Sequence, residues 1–294
     1  MTFKKIKIED CEMLTRILFK YGENSCQHSF VSMFLMQDKY GEEYCIENDC
    51  LYIKRSGLGE NVYLFPFGEN AKLPEENICF ETITESGKRW LEENYPDKFE
   101  FEEVRDYFEY IYKTDDLADL TGRALSKKRN HVKQFLEKYE GRFEVLCIEN
   151  NLKDDFEDNL EAIRIFQKKW LADRIDSPVY PDLEKESEHI MNALSNWEKL
   201  HLMGIMVIVD GKIVGYSYGC GISDNCVDCI CEKGDIRIEG IYQVVNKFFA
   251  QMVREKGYEY INREEDGGFS GLRQAKESYC PYLLLKKYKA VSKC

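Results

Sequence analysis

LMGIMVIVDGKIVGYSYGCGI, residues 202–222, sets two apolar runs around Asp210-Gly211. Asp-Gly between strand-like runs signals a type I′ hairpin, because both central residues must take positive φ. A third strand, CVDCICEK (226–233), follows the turn Ser223-Asp224-Asn225. Upstream, RFEVLCI (142–148) alternates as a strand, and 155–171 and 183–200 carry helical spacing. Downstream, GIYQVVNKFFAQMVREK (240–256) reads as a helix with Gly257 at the C′ position. Strand YEYIN (258–262), a glycine-rich turn, helix LRQAKESY (272–279) stopped by Pro281, and the strand-like YLLL (282–285) complete the pattern.

The order is strand, two helices, three antiparallel strands, helix, strand, helix, strand: an α+β domain with a mixed, mostly antiparallel sheet flanked by helices. The first half repeats it more loosely. FKKIKI (3–8) is a strand, helical patterns follow at 9–20 and 29–37, and YCIEN, CLYIKR and VYLFPF make three strands with turns at Asn48-Asp49 and 57–61. Pro74 opens a stretch read as helical to Glu93, followed by the strands FEFEEV and DYFEYIY. Two copies of one architecture are expected, in domains 1–118 and 119–294, with the junction near 115–121.

The 294 residues are 44% hydrophobic, enough for a real core, and carry a net charge of −13. A uniformly acidic surface repels polyanions, so any phosphate or nucleic acid must be met by a local basic patch. One exists. LTGRALSKKRNHVKQFL (120–136) contains Arg123, Lys127, Lys128, Arg129 and Lys133 and no acid. Leu125, Val132, Leu136 and Tyr139 make one apolar stripe, with Lys128 and Arg129 on its flanks and expected to be half-buried. The competing reading is a solvated amphipathic face.

Charged residues near Met1 stand where a signal peptide needs an apolar block, and no apolar stretch approaches the ~20 residues of a membrane span. With twelve cysteines scattered through a chain that has a normal core, a reducing, cytoplasmic setting is expected. Cys229 and Cys231 are expected on one face of a central strand, and with Cys220 and Cys226 they read as buried thiols rather than a zinc site. His28, His131, His189 and His201 lack metal-helix spacing. Gly215-Tyr-Ser-Tyr-Gly219 matches a hydrolase motif, but it lies inside a hairpin strand and not at a strand-to-helix elbow.

The second half's element order is that of GNAT acyltransferases. LTGRALSKKRN, followed some way on by YINREEDGGFSGLRQAKESYCP, resembles a family of uncharacterised bacterial proteins similar to the C-terminal domain of phosphatidylglycerol lysyltransferase. The resemblance covers essentially the whole chain. It implies a tandem GNAT-like protein related to lysyltransferases and Fem-type enzymes, which take an aminoacyl group from aminoacyl-tRNA. The expected function is acyl or aminoacyl transfer from an anionic donor to an amine or hydroxyl of a small molecule, lipid or peptide. The alternatives are an acyl-CoA-dependent N-acetyltransferase and a non-catalytic binding module.

Carried onto this chain, the GNAT pyrophosphate loop falls on Arg237-Ile-Glu-Gly240-Ile-Tyr242, where Glu239 and Tyr242 depart from the pattern. The general-acid tyrosine falls on Tyr279, four residues after Ala275, and the base on Glu232 at the end of CVDCICEK. Read from the residues, Glu264 to Asp266 are further candidates to bind or deprotonate an amine. Lys128, Arg129, Asn130, Asn262, Arg263, Arg273 and Lys276 are candidates to hold a phosphate or carboxylate at the junction of the halves. A purely structural ion network joining the basic helix to the acidic turn competes with this reading.

Overall fold

The computed structural model describes residues 1–74, 77–148, 155–174 and 182–293. Its first half contains β1 (Lys4–Lys5), α1 (Cys11–Tyr21), α2 (Phe30–Leu35), α3 (Gln37–Tyr40), β2 (Glu42–Glu47), β3 (Cys50–Arg55), β4 (Val62–Tyr63), β5 (Cys79–Ile83), α4 (Glu85–Asn94) and β6 (Phe99–Glu103). Next come β7 (Glu109–Lys113), α5 (Thr114–Asp119), α6 (Ser126–Lys138), β8 (Phe143–Ile148), α7 (Phe156–Ala172), α8 (Leu183–Ser195), β9 (Met203–Val209), β10 (Lys212–Gly221) and β11 (Cys226–Gly234). The chain ends with α9 (Ile241–Glu255), β12 (Tyr260–Asn262), α10 (Ser270–Glu277), β13 (Leu283–Leu285) and β14 (Tyr288–Ser292).

Two mixed seven-stranded sheets result, ordered β1-β2-β3-β4-β5-β14-β6 and β13-β7-β12-β11-β10-β9-β8. Two strands cross the boundary expected at 118. Strand β7 lies between β13 and β12 of the second sheet, and the last strand, β14, lies between β5 and β6 of the first. The β9–β10 hairpin turns on Asp210 and Gly211, at φ 51° and 71°, as the Asp-Gly signal requires.

The stretch expected as one helix from Pro74 divides into β5 and α4. CFETI alternates, burying Phe80 and Ile83, and the Thr84 side chain then accepts the Gly87 N–H to start the helix. Strand β14 escaped the sequence reading because the lysines of KKYKAVS mask a five-residue alternation.

The second sheet is covered on both faces. One face packs under α5, α6 and α9 through Val132, Phe135, Val227, Cys229, Val244 and Phe249. The other packs against α7, α8 and the first-half helices α1 and α2, so this core joins Leu14, Leu18 and Phe30 to Trp197, Tyr216 and Tyr218 across the seam.

A β-bulge interrupts the β10–β11 ladder. Tyr218 pairs with Cys231 but Cys220 pairs with Asp228, so two steps on β10 meet three on β11. Gly219 sits opposite the extra residue, where a Cβ would stand 1.9 Å from the Asp228 carbonyl oxygen. The bulge changes which face each side chain meets. Val227 and Cys229 lie under α9, and three residues on Glu232 again reaches Asn246 of α9.

Candidate functional site

Strands β11 and β12 run parallel and pair only from Cys226–Tyr260 to Asp228–Asn262. β11 then continues to Gly234 while the other chain turns away at Arg263. The wedge where they part lies at a strand end, where open αβ sheets hold ligands. YEYIN thus lies beside the start of β11, not its end, and the side chain of Arg263 reaches across the wedge to Glu232.

On the α9 side, Arg263 Nη2 donates to Glu232 Oε1 at 3.1 Å, and Asn246 donates to Glu232 Oε2 at 3.1 Å. Arg263 stands 4.8 Å from the centroid of Tyr279, and Lys128 Nζ lies 3.6 Å from the same centroid, so both cations meet one ring. Burial opposes the Arg263 charge, but Glu232 outweighs it and the guanidinium stays protonated. Its Nη1 is buried without a hydrogen-bond partner among the described residues. Burial and the neighbouring Arg263 pull the Lys128 ammonium down to about 8. Burial also raises the Tyr279 hydroxyl, which keeps its proton. Lys128, Arg263, Tyr279 and Glu232 therefore form one group.

On the other side lies a buried acidic group. Asp228 is fully buried, and neither carboxylate oxygen has a hydrogen-bond partner among the described residues. Burial, then the negative Glu264, Glu109 and Glu265, push its carboxyl well above the usual range. Burial and Glu265 likewise raise Glu264 to about 8, against the pull of Lys276. Cys26, from the first half, directs its thiol at Glu265 Oε2 at 3.7 Å, and burial holds that thiol protonated. Glu109 is neutralised by Lys287 at 2.6 Å, with both side chains fully buried.

The remaining expected residues do other work. Asp266 accepts both arms of Arg273 at 2.9 and 2.8 Å, Arg105 at 3.1 Å, the Tyr110 hydroxyl at 2.6 Å and the Gly268 N–H at 2.9 Å. Burial raises its carboxyl, but these donors prevail and hold it at about 2, so Asp266 is an anchored carboxylate instead of a base. Arg273 is spent on Asp266 and Asp106. Lys276 is buried, and its Nζ donates to the backbone carbonyls of Arg263 and Glu265, leaving it no place on an external anion. Asn262 uses its amide on Asn24 O and Glu109 and its oxygen on the Glu264 N–H.

Arg129 was expected to be half-buried toward the site, but it is exposed and ties the Leu120 and Gly122 carbonyls. The left-handed end of α5 at Leu120 presents those oxygens outward, where a cation satisfies them. Asn130 is exposed on α6. Arg237 clamps Asp235 through two hydrogen bonds and meets Asp173, apart from the wedge. Gly240 has φ 81°, and a Cβ there would stand 2.8 Å from the His131 carbonyl oxygen of α6. The basic helix therefore packs onto the start of α9, where the GNAT resemblance places pyrophosphate. Ser217 is buried and donates to the Cys231 carbonyl, and Cys220, Cys226, Cys229 and Cys231 are buried free thiols.

Sequence reasoning missed Asp228, Glu109 and Cys26. A signal for the first two was present: Asp228 is the lone charge within the apolar VDCIC, and Glu109 the lone charge within YFEYIY. A carboxylate in a run with no solvent face has to be paired, protonated or bound. Cys26 carried none, because only the folding of the first half onto the second brings it there.

The family model described as phosphatidylglycerol lysyltransferase, C-terminal, matches residues 19–291. A crystal structure of a conserved protein of unknown function from Bacteroides thetaiotaomicron is 31% identical, with a TM-score of 0.89 over 100% of both chains. The structure of L-PGS from Bacillus licheniformis is 15% identical, with a TM-score of 0.65 over 98% of this chain and 93% of that one. An uncharacterised protein from Mycoplasmoides gallisepticum is 22% identical over 211 residues, 72% of this chain, which spans only 64% of that relative's length.

Proposed function

The chain belongs to the phosphatidylglycerol lysyltransferase C-terminal family, with two tandem GNAT-like halves, and we propose that it is an acyltransferase moving an aminoacyl or acyl group from an anionic donor to an amine or hydroxyl. The observation that carries this reading is Glu264. It is a half-buried carboxyl raised to about 8, at the point where β11 and β12 part, with cations across the wedge. A general base works best when its pKa lies near the working pH.

In this reading the acceptor enters beside Asp228, Glu264 and Glu265, whose carboxyl oxygens accept hydrogen bonds from its amine or hydroxyl. Glu264 takes the proton as the nitrogen or oxygen attacks the acyl carbonyl. The bond to the donor's leaving oxygen or sulfur breaks, and Tyr279 or Lys128 returns a proton to it. Arg263 and Lys128 hold the donor's anionic part, while Glu232 keeps Arg263 oriented. Holding the two reactants together supplies much of the rate.

Between the two donors, the approach of the His131 carbonyl to Gly240 favours aminoacyl-tRNA over acyl-CoA, because the backbone of α6 packs against the glycine at which the GNAT resemblance places the pyrophosphate loop. Exposed Arg123, in the turn before α6, and exposed Lys127 and Lys133 on α6 add positive charge for a longer polyanion. The test is equilibrium binding of mixed aminoacyl-tRNA and of acetyl-CoA, followed by transfer to small amines. Aminoacyl-tRNA should bind, and Lys128→Ala should weaken it with a shallower dependence on salt. Glu264→Gln should lower transfer by about 10²–10⁴-fold with donor affinity kept. Binding of neither donor overturns the reading.

A further inference from the structure

Glu264 adopts φ 56°, a left-handed conformation that is costly for a residue with a side chain and persists only where the surroundings impose it. The restraints are visible on both sides of it. Arg263 N–H donates to the Tyr110 carbonyl at 2.9 Å and Tyr110 N–H donates to the Glu264 carbonyl at 3.2 Å, tying the turn to β7. Glu264 N–H donates to Asn262 Oδ1 at 2.8 Å, and Lys276 bridges the carbonyls of the residues before and after Glu264. The last fixed point is Asp266. Its side chain is fully buried and held by Arg273 from α10, by Arg105 from the segment after β6, and by the Tyr110 hydroxyl.

We propose that Asp266 is a positioning residue: its carboxylate, clasped by Arg105 and Arg273, fixes the 263–268 turn and so holds Glu264 inside the seam against Asp228. This rests on the reading of Glu264 as the proton acceptor. The ionisable groups that act on Glu264 include Glu265 on its own turn, Lys276 of α10, Glu109 of β7, Asp228 of β11 and Glu186 of α8, with the Cys26 thiol of the first half, the Tyr218 hydroxyl and Cys220 thiol of β10 and the Cys231 thiol of β11. Asp266 is not one of them, so its loss would reach Glu264 through the backbone and not through direct charge.

The test tracks the side-chain carboxyl carbon of Glu264 by ¹³C NMR titration in the full chain, with the resonance assigned by its disappearance in Glu264→Gln. In the wild type the midpoint should lie at about 8. In Asp266→Ala the released turn should expose Glu264 further to water and carry the midpoint down by at least about one unit toward the ordinary ~4.3. Arg105→Gln, which removes the arm from the first half, should produce a smaller fall, and Arg105→Lys should restore part of it. An unchanged midpoint in a folded Asp266→Ala chain overturns the proposal. Should that variant not fold, an unchanged midpoint in Arg105→Gln overturns it instead. Transfer by Glu264→Gln at the wild-type rate would remove the base assignment while leaving the clasp to be judged by the titrations alone.

Discussion

Glu109 and Lys287 lie 2.6 Å apart with both side chains fully buried, and Ser25, the Cys26 N–H and the Asn262 amide also donate to the carboxylate. Removing one member of such a pair strands the other charge. Lys287→Met should therefore cost roughly 3–5 kcal/mol, read from the midpoint of urea unfolding. Burial raises the Glu109 carboxyl, but Lys287, Asn262 and the Cys26 N–H prevail and its folded pKa is depressed. A depressed carboxyl contributes stability above its unfolded pKa of about 4.3, and loses it as pH falls through the folded value. Asp228 has the opposite sign. Its raised carboxyl is protonated in the fold, so stability drains away as pH rises above the unfolded value. Asp228→Asn keeps the shape without the ionisable proton. It should raise the thermal midpoint at pH 8 more than at pH 5, and equal shifts at the two pH values would show that Asp228 is ionised.

Between helices, a tight constraint near the site is Gly240, where α9 begins against the backbone of α6. Its φ of 81°, and the 2.8 Å that would separate a Cβ from the His131 carbonyl oxygen, leave no room for a side chain without moving the basic helix. Gly240→Ala should cost on the order of 1–3 kcal/mol by thermal or urea unfolding, and should do so without any ligand present. A loss confined to donor affinity would instead place a phosphate at this turn. The hairpin 202–222, the helix 240–256 and the acidic turn were legible because each has a local period or a turn dipeptide. Gly240 was legible only as a family position, since the His131 carbonyl it meets belongs to another helix. Arg129 and Lys128 are adjacent on the apolar flank of α6, yet one turns to the end of α5 and the other to Tyr279, a choice made by tertiary neighbours. Asp266 looked like a base because a one-dimensional reading shows its charge and not the five donors around it.

At the scale of the whole molecule, the sheet order binds the halves to each other more firmly than a repeat would suggest. β7 is made before residue 118 but is an interior strand of the second sheet, and β14 is the last strand of the chain but is interior to the first. A fragment of residues 1–118 would leave β5 and β6 without the strand between them, and a fragment of 119–294 would leave β12 and β13 with no β7. Each would also expose half of the core that joins Leu14 and Phe30 to Trp197 and Tyr218. Neither fragment should give a native near-ultraviolet signal alone, whereas the intact chain should unfold in one cooperative transition, because missing interior strands leave unpaired backbone groups in an apolar setting. A fragment that folds by itself would mean that the exchanged strands are dispensable. The prediction reaches the site as well, since Cys26, Glu109 and Arg105 come from the first fragment and Asp228, Glu264 and Asp266 from the second. Mixing the two fragments should therefore restore tertiary signal and the raised Glu264 titration together, with neither returning ahead of the other.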